Sequence, residues 1–126
     1  MGLARRVLVV DDDDTIRELI AMALVDEGYE VETAVHGKEA LDQVGKCALS
    51  LILLDMRMPV MDGWEFAQVY HQLPGPHAPI IVLTAGRDAA NAAAQIGAAG
   101  FLAKPFDLER LLGIVADRLN GHGPEA

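Results

Sequence analysis

Short apolar runs alternate with helical patterns along this chain, and that alternation restricts the fold more than any other feature. Val7-Leu8-Val9-Val10, Leu51-Ile52-Leu53-Leu54, Ile80-Ile81-Val82-Leu83 and the shorter Phe101-Leu102-Ala103 are continuous and bounded by polar residues. Unbroken runs of this length suit strands buried on both faces of a sheet. Tyr29 to Ala34 alternates instead, with Val31 and Thr33 against Glu30 and Glu32, and reads as an edge strand with one wetter face.

Helical stripes fill the gaps. Ile16, Leu19, Ile20, Ala23 and Leu24 keep one face of a helix that Asp14 can cap and Gly28 can end. Ala40, Leu41 and Val44 mark a short second helix. Asp62 and Glu65 have capping-box spacing ahead of Phe66, Tyr70 and Leu73. Asp88 can cap an alanine-rich helix through Ile96, and Asp107 one that carries Leu108, Leu111, Leu112, Val115 and Leu119. Leu73 to Pro79 reads as a stiff loop, and residues 120–126 as a flexible tail. The order is (βα)₅. Right-handed crossovers then put helices on both faces of a parallel sheet, a single α/β domain over residues 1–126 with its core at about 6–119.

In open parallel sheets ligands bind beyond the carboxyl ends of the strands. Asp11 and Asp12 follow Val10, Asp55 follows Leu54, Thr84 follows Leu83 and Lys104 follows Ala103. Three carboxylates, a hydroxyl and an ammonium are therefore expected to converge on one edge. Close carboxylates repel and raise one another's pKa unless a cation neutralises them. Magnesium fits, because it prefers oxygen and takes one or two carboxylates with water and phosphate oxygens. The same groups suit phosphoryl chemistry, with a carboxylate as nucleophile and Lys104 and Thr84 stabilising the transferring group.

Charge and composition exclude other roles. Lys plus Arg is 10 and Asp plus Glu is 19, a formal net charge of −9. Such a chain repels polyanions, which argues against direct nucleic-acid or anionic-membrane binding. One cysteine, Cys47, forms no internal disulfide and fits a reducing compartment. No apolar stretch approaches the ~18 residues needed to span a bilayer. The N-terminus lacks a signal-peptide pattern, and Arg6 stands where a myristoylation signal needs Ser or Thr. The reading is a soluble cytoplasmic protein.

Four segments together resemble a known family. They are Val7 to Asp12, Asp55-Met56-Arg57-Met58-Pro59-Val60-Met61-Asp62-Gly63, Thr84-Ala85 and Lys104-Pro105-Phe106, each at a strand end. From Arg6 to Leu119 the chain looks like a receiver domain of two-component response regulators, the CheY-like, flavodoxin-like three-layer fold with strand order 2-1-3-4-5. The resemblance implies that Asp55 is the phosphoacceptor for a sensor histidine kinase or phosphotransfer protein. Asp11, Asp12, Asp55 and the Arg57 backbone carbonyl would hold Mg2+, with Mn2+ as an alternative. Thr84 and Phe101 would be the switch residues, and Lys104 the phosphate-binding lysine, with a cis bond to Pro105. Arg57 and Gly86 occupy the lifetime-tuning positions. The surface of the fourth helix, fifth strand and fifth helix would present the signal to a downstream protein or output domain, or to a second copy in a homodimer. Such a domain is a signalling phosphoacceptor that catalyses only its own phosphorylation and dephosphorylation. In three respects the chain departs from the pattern: Arg57 and Gly86 themselves, a slightly short stretch from Thr84 to Lys104, and Phe101 in place of the commoner tyrosine.

Several residues carry competing readings. Asp13 and Asp14 read mainly as loop and helix cap. Val9 to Thr15 also fits the opening motif of haloacid-dehalogenase-like phosphatases, with Asp11 as nucleophile and Asp13 as general acid, but no acidic pair follows a strand after Lys104. A calcium loop fails because Ile16 stands where the EF-hand needs glycine. His36, His71, His77 and His122 show no ligand spacing and read as surface residues. Met56, Met58 and Met61 read as packing filler, Cys47 as inert packing and Trp64 as partly buried. The Arg57 guanidinium is expected to screen an acyl phosphate from water, and to pair with the site aspartates when no metal is bound.

Overall fold

The computed structural model describes residues 5–85 and 87–120. Gly86, His122 and the tail from residue 121 therefore lie outside the described residues, along with the expectations placed on them. The elements follow in strict alternation: β1 Arg6–Val10, α1 Asp14–Asp26, β2 Glu30–Ala34, α2 Gly37–Lys46, β3 Leu51–Asp55, α3 Gly63–Gln72, β4 Ile80–Ala85, α4 Asp88–Ile96, β5 Gly100–Lys104 and α5 Leu108–Leu119. All strand pairings are parallel, in the order β2-β1-β3-β4-β5.

The strand pleat sorts the core into two layers. Leu8, Val10, Ile52, Leu54 and Val82 meet α2, α3 and α4 through Ala40, Phe66, Ala67, Tyr70, Ala92 and Ala93. Val7, Val9, Leu51, Leu53, Ile81 and Leu83 meet α1 and α5 through Ile20, Leu24, Leu111 and Val115. β1 and β3 are central, which is why their apolar runs do not alternate. β5 corrects the expectation of burial on both faces. It is an edge strand with one neighbour, and Phe101 and Ala103 on its α4 side are exposed.

Capping chemistry sets most helix starts, with three corrections. Asp13, not Asp14, caps α1: its backbone is extended and its Oδ1 accepts from the Ile16 N–H at 3.1 Å. Asp14 is already helical and pairs with Arg17. Asp88 is likewise the first helical residue of α4; Arg87 precedes it and supplies no side-chain cap. Asp107 occupies the cap position of α5 without a capping bond. The capping box of Asp62 and Glu65 is formed as expected. His36 is an unforeseen cap, its Nδ1 accepting from the Glu39 N–H at 3.2 Å on α2. No helix among the described residues is long and apolar enough to cross a membrane.

Close approach at Gly63 positions the β3–α3 loop. The Gly63 N–H donates to the Met56 carbonyl at 2.9 Å, and a Cβ at Gly63 would lie 2.6 Å from Met56 Sδ and 2.8 Å from the Asp55 carbonyl oxygen. Gly63→Ala is therefore expected to destabilise the fold by about 1–3 kcal/mol, as overpacking in a filled site does. Urea unfolding checks it, and an unchanged midpoint would show that the loop yields freely.

Candidate functional site

The carboxyl ends of β1, β3, β4 and β5 bring the expected residues to one edge. Asp11 follows β1 and is fully buried; its N–H donates to the Ala34 carbonyl at 3.1 Å, which carries the β1–β2 ladder one residue further. Asp55 ends β3 at 5% exposure, and Thr84 lies at 2% near the end of β4. Lys104 ends β5 and pairs in register with Ala85. Asp12 is exposed at the rim.

Carboxylate oxygens of Asp11, Asp12 and Asp55 all lie within 4.8 Å of one another. Lys104 Nζ donates to Asp11 Oδ2 at 2.7 Å and stands 3.7 Å from Asp55 Oδ1. One ammonium thus faces three carboxylates. The imbalance shows in protonation: burial, then the charge of Asp11, pushes Asp55 up to about 6, against the pull of Lys104 and a hydrogen bond from the Arg57 N–H. Burial alone would lower Lys104, but its hydrogen bond to Asp11 and the charges of Asp55, Asp11 and Asp12 leave it raised. An all-oxygen donor set with uncompensated negative charge fits a hard divalent cation such as Mg2+.

Two supports were not foreseen. Arg17 Nη1 donates to the Asp11 carbonyl at 2.9 Å while Nη2 holds Asp14, so the start of α1 braces the acidic loop. Only its i+3 spacing from Asp14 hinted at this. In the β3–α3 loop, Val60 has φ 71° and the Met61 N–H donates to the Pro59 carbonyl at 2.8 Å, a γ-turn of the rare hand. A β-branched residue there is strained, and such strain gathers where a loop must hold one shape.

Arg57 departs from expectation. Its guanidinium does not pair with the site aspartates. It lies 3.3 Å from Asp88 Oδ2 on α4, with Cζ 5.4 Å from the Trp64 ring centroid. Lys104 already occupies the Asp11 and Asp55 carboxylates, whereas Asp88 and the Trp64 face are open to it. Phe101 is 48% exposed, outside the cluster. Asp13 is also apart from it, because its carboxylate caps α1, and the arrangement needed for a phosphatase acid is not formed. His71 and His77, six residues apart, meet beside Tyr70 with ring centroids 5.6 Å apart, between α3 and β4.

The response regulator receiver domain family matches residues 7–116. The chain belongs to that family. This receiver domain is 43% identical over 110 residues to the response regulator MprA of Mycolicibacterium vanbaalenii, covering 85% of this chain and 47% of that protein. Against MprA of Mycobacterium avium it is 41% identical over 123 residues, covering 95% and 53%. The chain thus spans about half the length of these curated relatives. Among solved structures, chemotaxis response regulator CheY4 of Vibrio cholerae superposes with TM-score 0.83 at 37% identity, covering 93% of this chain and all of that one. The response regulator TrrA of Thermotoga maritima, solved in complex with Mg(2+)-BeF, gives TM-score 0.81 at 36% identity over 91% and 99%. These likenesses agree with the strand order and the acidic pocket of the receiver domain.

The raised Asp55 pKa has a consequence for metal-free stability. Between its ordinary value of 3.8 and about 6 the folded state binds the proton and the unfolded state does not. Stability is therefore lost as pH rises through that window. Asp55→Asn is expected to be more stable than the parent at pH 7 without divalent ions, by about 1–3 kcal/mol, with the gap shrinking at pH 4. Denaturant midpoints at the two pH values test this. A gap of equal size at both would remove the charge explanation.

Proposed function

We propose that Asp55 accepts a phosphoryl group from a sensor histidine kinase or phosphotransfer protein, in a two-component system of the cytoplasm. The observation that carries this reading is the buried Asp55 carboxylate, held within reach of one ammonium and two further carboxylates at the strand ends. An Asp55 oxygen attacks phosphorus in line, the O–P bond forms, and the donor's N–P bond breaks with its electron pair leaving on the imidazole nitrogen. Lys104 offsets charge on the transferred oxygens, and Thr84 supplies a hydroxyl to them. Asp11, Asp12, Asp55 and the Arg57 carbonyl would hold Mg2+, or Mn2+ in its place, which adds charge neutralisation when bound. The Mg(2+)-BeF complex of the TrrA neighbour supports this choice of ion.

Phosphorylation shifts a pre-existing equilibrium rather than creating a new fold. Phe101, exposed on β5, turns inward in the phosphorylated state, and the α4-β5-α5 face then changes for a downstream protein, an output domain or a second copy of the chain. The domain itself signals, and its chemistry is confined to gaining and losing its own phosphoryl group. Its net charge of −9 favours protein partners over nucleic acid or anionic membranes. Arg57 and Gly86 are the positions proposed to set how long the group stays.

Acetyl phosphate with Mg2+ is expected to add one phosphoryl group, detectable by intact mass, and Asp55→Asn to abolish it. Labelling that survives in Asp55→Asn and disappears in Asp11→Asn would overturn the assignment. Arg57→Ala is expected to shorten the phosphorylated lifetime, followed by loss of label after the donor is removed. An unchanged or longer lifetime would show that Arg57 does not shield the acyl phosphate.

A further inference from the structure

Arg57 touches two places at once. Its backbone follows Asp55 by two residues at the start of the β3–α3 loop, so the root of the side chain sits beside the phosphoacceptor position. Its tip is elsewhere, 3.3 Å from Asp88 at the first residue of α4 and 5.4 Å from the centre of Trp64 on α3. Trp64 continues the link, its Nε1 donating to Gln95 Oε1 at 2.7 Å near the far end of α4. Two ties therefore run from the β3–α3 region to α4, one to each end of the helix. At its start Arg87 provides no side-chain cap, and the helix is nine residues long, with small buried residues Ala89, Ala92 and Ala93.

We propose that the Arg57 side chain is a two-position tie, docked on Asp88 and Trp64 in the unphosphorylated protein and drawn off them by a phosphoryl group on Asp55, which releases α4. The inference rests on Asp55 being the phosphoacceptor. Charge decides which position wins. Without the phosphoryl group, Lys104 already bonds Asp11 and faces Asp55, and Arg57 takes the single charge of Asp88 with the Trp64 face. Phosphorylated Asp55 carries up to about two negative charges against one on Asp88, with three acceptor oxygens that suit the planar guanidinium. The Asp88 pair is weak enough to lose that competition, because its side chains are 66% and 58% exposed. Arg57 is thus a positioning residue for α4, and the tie biases the switch rather than locking it.

Beryllofluoride with Mg2+, titrated into the whole chain, tests this through the emission of Trp64, the single tryptophan. Asp88→Asn removes the docked position, and it is expected to bind beryllofluoride about two- to fivefold tighter, the range over which an exposed ion pair biases an equilibrium. In an Arg57→Gln background, with binding read by equilibrium dialysis, the same Asp88→Asn change is expected to have no effect. The parent's Trp64 emission is expected to shift on binding as the guanidinium leaves its ring, and that shift should be lost in Arg57→Gln. Unchanged or weaker binding by Asp88→Asn overturns the tie. An equal gain in the Arg57→Gln background does so too, because the charge of Asp88 would then act directly on the anion. A parent protein that binds no beryllofluoride, by emission or by equilibrium dialysis, overturns the phosphoacceptor reading and this inference with it.

Discussion

The Lys104 ammonium holds the site together electrostatically. Buried carboxylates at the ends of β1 and β3 repel one another, and among the described residues the only cation bonded to these carboxylates comes from the end of β5. Its 2.7 Å bond to Asp11 makes the inward position of both side chains tolerable, because a buried charge without a partner would be strongly unfavourable. The neutralisation is incomplete, as the raised Asp55 pKa records. That residual negative charge is what makes the pocket receptive to a divalent cation. The same pocket is folded but electrostatically unfinished.

The sheet supplies the rigidity this balance requires. β1 and β3 are buried on both faces, so Asp11 and Asp55 project from the most deeply buried strands of the sheet. Residues that would change with phosphorylation sit at the other margin. β5 has one strand neighbour, Phe101 is exposed, and α4 is short and tied through Arg57 and Trp64. A buried chemical centre beside an exposed edge is a physical arrangement that lets a small charge change bias a larger surface.

Local rules carried much of the fold. The buried strands were legible as unbroken apolar runs, and the Asp62–Glu65 box was legible because both bonds lie within four residues. Caps were harder where several acids stand in a row. Asp13 and Asp14 differ only in backbone angles, and the extended conformation falls at Asp13. The exposure of Phe101 was hidden because an edge strand and a central strand can share a three-residue apolar run. The convergence of Asp11, Asp12, Asp55 and Lys104 was legible because in a parallel sheet every strand ends on the same side. Arg57 was misplaced because its partners, Asp88 and Gln95 through Trp64, lie 31 residues away from Arg57 and Trp64 respectively.

By itself, then, the sequence determined the alternating elements, the parallel sheet and the identity of the groups at its edge, since these follow from periodicity and from the direction that successive strands must run. Tertiary structure alone decided how those groups share charge: which carboxylate Lys104 bonds, how far Asp55 is pushed from its ordinary pKa, and where the Arg57 guanidinium rests. Coulomb energies depend on separations of a few ångströms and on burial, and neither quantity exists until distant segments have packed.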